Sequence, residues 1–174
     1  VGLGNPLLGD DAIGWRVAEA VEARLKGDRE LDVTGIEFDY LSLGGLSLME
    51  RFIGYEQAII VDSIQTETGE LGQVYSFDLE ALPDRSAGHT TAAHDTSLQT
   101  ALALGRQMGA KLPEEVQVVA VEADRVFDFS DELTPAVAAA IPEAAAAVFA
   151  LLQQPAEAPS PDKIPSTHEK EKEQ

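Results

Sequence analysis

Apolar residues fall along this chain in two alternating rhythms: short continuous or β-branched runs, and stretches where they return every three or four positions. Ile13, Val17, Ala20, Val21 and Leu25 keep helical spacing up to Gly27, a residue suited to ending a helix. The stretch 33–38 reads as a strand, and the Gly44-Gly45 pair interrupts the chain before a short helix over 46–52. Gln57-Ala58-Ile59-Ile60-Val61 contains the unbroken apolar run of a strand covered on both faces, with Asp62 expected at its carboxyl end. Gly69 and Gly72 bracket a turn ahead of Val74-Tyr75-Ser76-Phe77, an aromatic and β-branched strand. A helix over 97–108, a strand over 116–121 and an alanine-rich helix to about Leu152 complete the alternation. Thr96 and Gln99 have capping-box spacing at the first of these helices, and Thr134-Pro135 suits the N-cap and first turn of the last. Pro142, inside that last run, predicts a kink or a restart.

Strand and helix in alternation predict an α/β fold: a three-layer α/β/α arrangement with a mainly parallel, twisted sheet of about five strands. The expected organisation is one domain over 1–153 and a disordered charged tail over 154–174, where Pro, Ala, Ser, Glu and Lys replace the apolar residues. Val1-Gly2-Leu3-Gly4 reads as the last part of a first strand, which is therefore expected to be truncated. A central strand of two or three residues leaves its neighbours' backbone groups unpaired.

Composition narrows the chemistry. The chain has 31 acidic residues against 12 basic ones and a formal charge of −19, which opposes nucleic-acid partners. No cysteine is present, which removes disulfides, thiolate metal sites and a cysteine nucleophile, so any metal must be held by oxygen and nitrogen. No apolar run approaches a membrane span and nothing reads as a signal peptide, so no membrane partner and a cytoplasmic address are expected.

Three side chains then stand where an α/β chain builds a site. Asp11 ends the glycine-rich turn Gly2-Leu3-Gly4-Asn5-Pro6-Leu7-Leu8-Gly9-Asp10-Asp11, Asp62 follows the apolar strand, and His94 precedes the 97–108 helix. Two carboxylates and an imidazole suit nickel, zinc, manganese or iron with coordination positions left open. Each also has a plainer role. Asp11 can offset a helix dipole, Asp62 can bond a loop amide, and a lone histidine is more often structural. Asp10 reads as a cap, Asn5 as a turn residue first and a site contact second, and Glu122 as a support for the site or an ordinary salt-bridge partner. His89 reads as a surface residue and His168 lies in the tail.

In this order the motifs resemble the nickel-iron hydrogenase maturation endopeptidases, over Gly2 to about Leu152. Gly2-Leu3-Gly4-Asn5 through Asp10-Asp11-Ala12-Ile13-Gly14 is similar to the family's opening, whose second acidic position, here Asp11, is a metal ligand. Asp62 matches the second ligand, and His94, in Thr91-Ala92-Ala93-His94-Asp95-Thr96-Ser97-Leu98, matches the third. Val118-Val119-Ala120-Val121-Glu122 and Leu133-Thr134-Pro135 also resemble the family. The resemblance implies a phosphorylase/hydrolase-like fold and an endopeptidase that trims the C-terminal extension of the hydrogenase large-subunit precursor. It implies that Asp11, Asp62 and His94 are both metal-binding and catalytic, with Asn5, Gly44 and Gly45 beside the substrate. The metal would be nickel supplied by the substrate, with another divalent ion as the alternative. Two departures stand out. The family's Asp-Gly-Gly-Thr signature is replaced by Asp39-Tyr40-Leu41-Ser42-Leu43-Gly44-Gly45, and Ala12 stands where many members carry glycine.

Other function classes compete. Val1-Gly2-Leu3-Gly4-Asn5-Pro6 is also similar to the opening of peptidyl-tRNA hydrolases, but Asp10 and Asp11 replace the histidine and basic residues those enzymes need. A dinucleotide site lacks its third glycine at the expected place. A nickel-sensing assembly factor that binds the precursor without cutting it would carry the same triad.

Overall fold

The computed structural model describes residues 1–27, 34–82 and 97–153. The strands are β1 (Gly2–Leu3), β2 (Tyr40–Leu41), β3 (Gln57–Ile64), β4 (Val74–Asp78) and β5 (Glu115–Glu122). The helices are α1 (Ile13–Gly27), α2 (Gly45–Arg51), α3 (Leu98–Gln107) and α4 (Pro135–Leu152), with short 3-10 turns at Gly9–Ala12 and Leu79–Ala81. The strands form one sheet in the order β2-β1-β3-β5-β4, parallel except for β4, which runs antiparallel at the edge.

Alternation along the two long strands produces the three layers. Val61, Val119 and Val121 point into a core with Ile13, Val17 and Val21 of α1 and Val137, Ala144 and Phe149 of α4. Their neighbours Ile60, Val118 and Ala120 point the other way, into a core with Leu48 and Met49 of α2 and Ala101 and Leu102 of α3. The continuous apolar run thus serves two cores at once, which is why β3 and β5 pair in parallel over their full length, from Gln57↔Glu115 to Ile64↔Glu122. Arg24 of α1 also lies over the Phe149 ring of α4, 4.3 Å from its centre.

Several expected elements move. Residues 34–38 are not a strand, although Ile36 and Phe38 pack against the α1/α4 core; the pairing with β1 starts at Tyr40, opposite Gly2. Strand β3 continues to Ile64, so Asp62 is inside the strand rather than closing it. The cap of α3 is Ser97, whose Oγ accepts from the Thr100 amide at 3.1 Å, while Gln99 donates to the Leu79 and Leu82 carbonyls instead of closing a capping box. Thr96 lies outside the described residues.

Helix α4 runs unbroken through Pro142, so of the kink or restart expected there the restart is absent. Pro142 is on the exposed face, where water can bond the carbonyl that its missing N–H leaves free. This helix also corrects the reading that no segment approaches a membrane span: at 18 residues and a mean hydropathy of 1.8 it is long and apolar enough by length and composition. Here it packs along α1, with Val137, Ala140, Ala144, Ala145, Val148 and Phe149 buried. The expected tail over 154–174 lies outside the described residues.

Candidate active site

In this strand order the chain passes from β1 to one side of the sheet as β2 and then crosses to the other as β3, making a topological switch point between β1 and β3. Open α/β sheets bind ligands at the carboxyl ends of strands flanking such a point. Asp11 arrives there through the turn after β1, and Asp62 through the second half of β3.

Two glycines fix how closely the turn fits. A Cβ on Gly14, in the first turn of α1, would lie 2.2 Å from the Leu3 carbonyl oxygen and 2.3 Å from that of Val61, so the helix start rests directly on β1 and β3. Gly4 has a φ of +122°, and a Cβ there would lie 1.8 Å from the Asp11 carbonyl oxygen. The opening glycines therefore serve backbone approach, and that approach delivers Asp11 to the neighbourhood of Asp62.

Asp11 Oδ2 accepts the Asn5 amide at 2.7 Å, and its Oδ1 accepts the Ser63 hydroxyl at 3.3 Å. Ser63, next in sequence to Asp62, donates its amide to Asp62 Oδ1 at 2.8 Å. One serine thus touches both carboxylates. The Asp62 carboxyl is half-buried and its pKa is pushed up from 3.8 to about 7, first by burial, against the lowering effect of the Ser63 amide, and further by the nearby Asp11 charge. Two acids held together with, among the described residues, few donors form a site that a cation would stabilise.

The remaining predicted residues divide. Asn5 Oδ1 accepts the Leu7 amide at 3.0 Å, the turn-forming role read first for it. Gly44 and Gly45 open α2 on the segment that follows β2, and Ser42 of that segment donates to the Gly4 carbonyl at 2.6 Å, so it lies beside the same turn. His94, with His89 and His168, lies outside the described residues, and among the described residues no group of three His, Asp or Glu is gathered for a metal. Asp11 and Asp62 are therefore the part of the triad on view.

Two other acids are structural. Asp10 is fully buried, and its carboxylate accepts both the amide (2.6 Å) and the hydroxyl (3.0 Å) of Thr134, so it caps the start of α4 rather than of α1. Glu122 is buried too and accepts the Thr66 amide and hydroxyl and the Tyr75 hydroxyl, at 2.7, 2.9 and 3.0 Å; among the described residues it makes no salt bridge. Sequence reasoning missed Ser63, whose only signal was its place after the strand acid. A cavity of about 430 Å³ lies elsewhere, beside the first residues of β3, lined by Ile36, Phe38, Ala58, Ile59 and Val148. It does not include Asp11 or Asp62.

Fold and site geometry describe an α/β domain with an acidic switch-point site, and comparison with known proteins gives the class. The pattern of the HycI hydrogenase maturation protease family matches residues 36–151, two thirds of the chain, starting after the glycine-rich turn. The hydrogenase maturating endopeptidase HybD from E. coli superposes with a TM-score of 0.64 at 26% identity, over 87% of this chain and 88% of that one. An endopeptidase from Escherichia coli gives 0.65 at 27% identity, over 87% and 90%. The hydrogenase 2 maturation peptidase of Thaumarchaeota archaeon SCGC_AB-539-E09 gives 0.60 at 25%, over 87% and 94%. No curated protein matches the chain. The chain belongs to the hydrogenase maturation protease family and is an endopeptidase.

Proposed function

We propose that this endopeptidase removes the C-terminal extension of a nickel-iron hydrogenase large-subunit precursor in the cytoplasm after nickel insertion, and that Asp11, Asp62 and His94 receive the nickel that the precursor already carries. The observation that carries this reading is the Asp11–Asp62 pair at the switch point, joined through Ser63 and short of donors. Nickel is here part of the substrate. Two carboxylates with an imidazole match its borderline preference, and the half-desolvated Asp62 has most to gain from a cation. Bound metal would supply polarisation of the scissile carbonyl.

The chain's own residues do the rest. Ser63 and the Asn5 amide hold Asp11 in one orientation, so the site is shaped before substrate arrives. One of the two aspartates takes a proton from the attacking water, whose oxygen bonds to the carbonyl carbon as the C–N bond breaks and the amine leaves protonated. The Gly4–Asn5 turn and the Gly44-Gly45 segment, tied together by Ser42, border the cleft that takes the extended substrate.

The test mixes the purified protein with nickel-loaded and nickel-free precursor and follows the precursor's C-terminus by mass spectrometry. Loss of the extension from the loaded form alone is the expected result. Nickel-dependent binding without cleavage would instead make the protein an assembly factor, and cleavage of both forms would remove nickel from the recognition.

A further inference from the structure

Between β5 and α4 the chain reads Asp124-Arg125-Val126-Phe127-Asp128-Phe129-Ser130-Asp131-Glu132, and two of its aromatic rings are left in water. Phe127 is 83% exposed and Phe129 89%, while Val126 between β5 and them is buried in the α1/α4 core. Exposure does not come from a loose backbone. Ser130 pairs with Leu8 as an isolated parallel bridge, with Gly9 N to Ser130 O at 2.8 Å and Ser130 N to Leu7 O at 3.1 Å. The Asp10 amide donates to the Arg125 carbonyl at 3.2 Å, and the buried Asp10 carboxylate holds Thr134 at the far end. The loop is thus pinned near both ends to the turn that delivers Asp11, and Leu7 of that turn, whose carbonyl accepts the Ser130 amide, is itself 58% exposed.

Leaving two phenylalanines in water forgoes the free energy of burying them, and exposed apolar patches mark interaction sites. The surrounding charge is one-sided: Asp124, Asp128, Asp131 and Glu132 are exposed, against Arg125 alone, which lies 3.9 Å from Asp128.

We propose that Phe127 and Phe129, with Leu7, are the docking patch for the large-subunit precursor, engaging a surface of apolar pockets ringed by lysine or arginine. The proposal rests on the protease reading above, since it names the contact by which that substrate is held while its C-terminus reaches Asp11 and Asp62. The patch is continuous with that site through Leu7, Leu8 and Gly9, and its acidic ring complements a basic partner rather than a second copy of this acidic chain. Aromatic anchors at such patches carry a disproportionate share of binding.

The experiment compares the wild type with Phe127→Ser/Phe129→Ser on purified nickel-loaded precursor, measuring both cleavage kinetics and direct binding. Both rings are in water, so the melting temperature stays put. KM is expected to rise on the order of 10–100-fold with kcat at saturation unchanged, and added salt to weaken wild-type binding through the acidic ring. Unchanged KM and binding in the double variant, with wild-type cleavage intact, overturns the docking patch and leaves the protease reading standing. Wild-type binding that the variant loses, without cleavage by either, supports the patch and removes the protease reading. A wild type that neither binds nor cuts overturns both. If sedimentation instead shows wild-type self-association that the variant loses, the patch is an interface between copies and the proposal fails.

Discussion

Asp10 and Asp11 are adjacent acids in one short 3-10 turn, yet they have opposite surroundings. Asp10 is sealed, with the amide and hydroxyl of Thr134 aimed at its carboxylate. Asp11 accepts an amide and a long hydroxyl bond and faces a second acid, Asp62, that has its own donor deficit. The same contrast recurs on the two long strands. Glu122 on β5 is fully bonded by Thr66 and Tyr75, whereas Asp62 on β3 accepts, among the described residues, only the amide that follows it. The buried acids Asp10 and Glu122 come with matched donors, whereas the half-buried Asp11 and Asp62 accept fewer among the described residues.

The strongest way to break this comparison is to neutralise the open pair. Asp11→Asn and Asp62→Asn are each expected to lower precursor cleavage by about 10³-fold or more, with melting temperature unchanged or raised, as read by mass spectrometry and thermal denaturation. Retained processing by either variant would take that residue out of the mechanism. The matched pair predicts the reverse. Asp10→Ala strands two Thr134 donors and Glu122→Ala three donors, each at a cost of about 2–4 kcal/mol in stability. The surviving folded fraction should still cleave the precursor, which urea unfolding together with activity per folded molecule would check.

A smaller effect sharpens the comparison through pH. Asp62 holds its proton up to about pH 7 in the folded protein but releases it near 3.8 when unfolded, so between those values the folded state binds more protons and stability falls as pH rises. The penalty is absent below about pH 4 and complete above pH 7. Asp62→Asn removes it, so the metal-free variant should be more stable than wild type at pH 8 by about 1–2 kcal/mol, after allowing for partial solvent screening. The two should converge at pH 4. Unfolding curves at the two pH values decide it, and a pH-independent difference would mean that Asp62 is not desolvated.

How much of this was legible in the sequence follows from which interactions are local. The parallel core strands, α1 and the switch-point acids were readable because burial on both faces, helical spacing and glycine at a tight turn each leave a local pattern. The strand read over 33–38 shows the limit: Ile36 and Phe38 alternate as a strand does and are partly buried against the core, but pairing depends on a partner strand distant in sequence, which alternation does not report. The assignments of Asp10 and Glu122 failed to be legible for the same reason. Asp10 meets Thr134 across 124 positions and Glu122 meets Thr66 across 56, and nothing near either acid announces its donor. Phe127 and Phe129 were hidden differently, since an apolar residue in sequence is presumed inside until the fold leaves it out.

Ser63 gives the smallest expected effect and the finest test of the comparison. Among the described residues it bonds both members of the open pair, yet its hydroxyl bond to Asp11 is long at 3.3 Å and its bond to Asp62 comes from the backbone, which substitution leaves in place. Ser63→Ala should therefore cost under about 1 kcal/mol of stability and lower kcat only a few-fold, with KM for the precursor unchanged. A hydroxyl that merely fills space would leave kcat alone, and Ser63→Thr, which keeps the hydroxyl, should recover most of the loss. If Ser63→Ala instead abolished cleavage, the serine would be acting on substrate directly, and the division between supporting donors and open acids would have to be redrawn with Ser63 on the side of the chemistry.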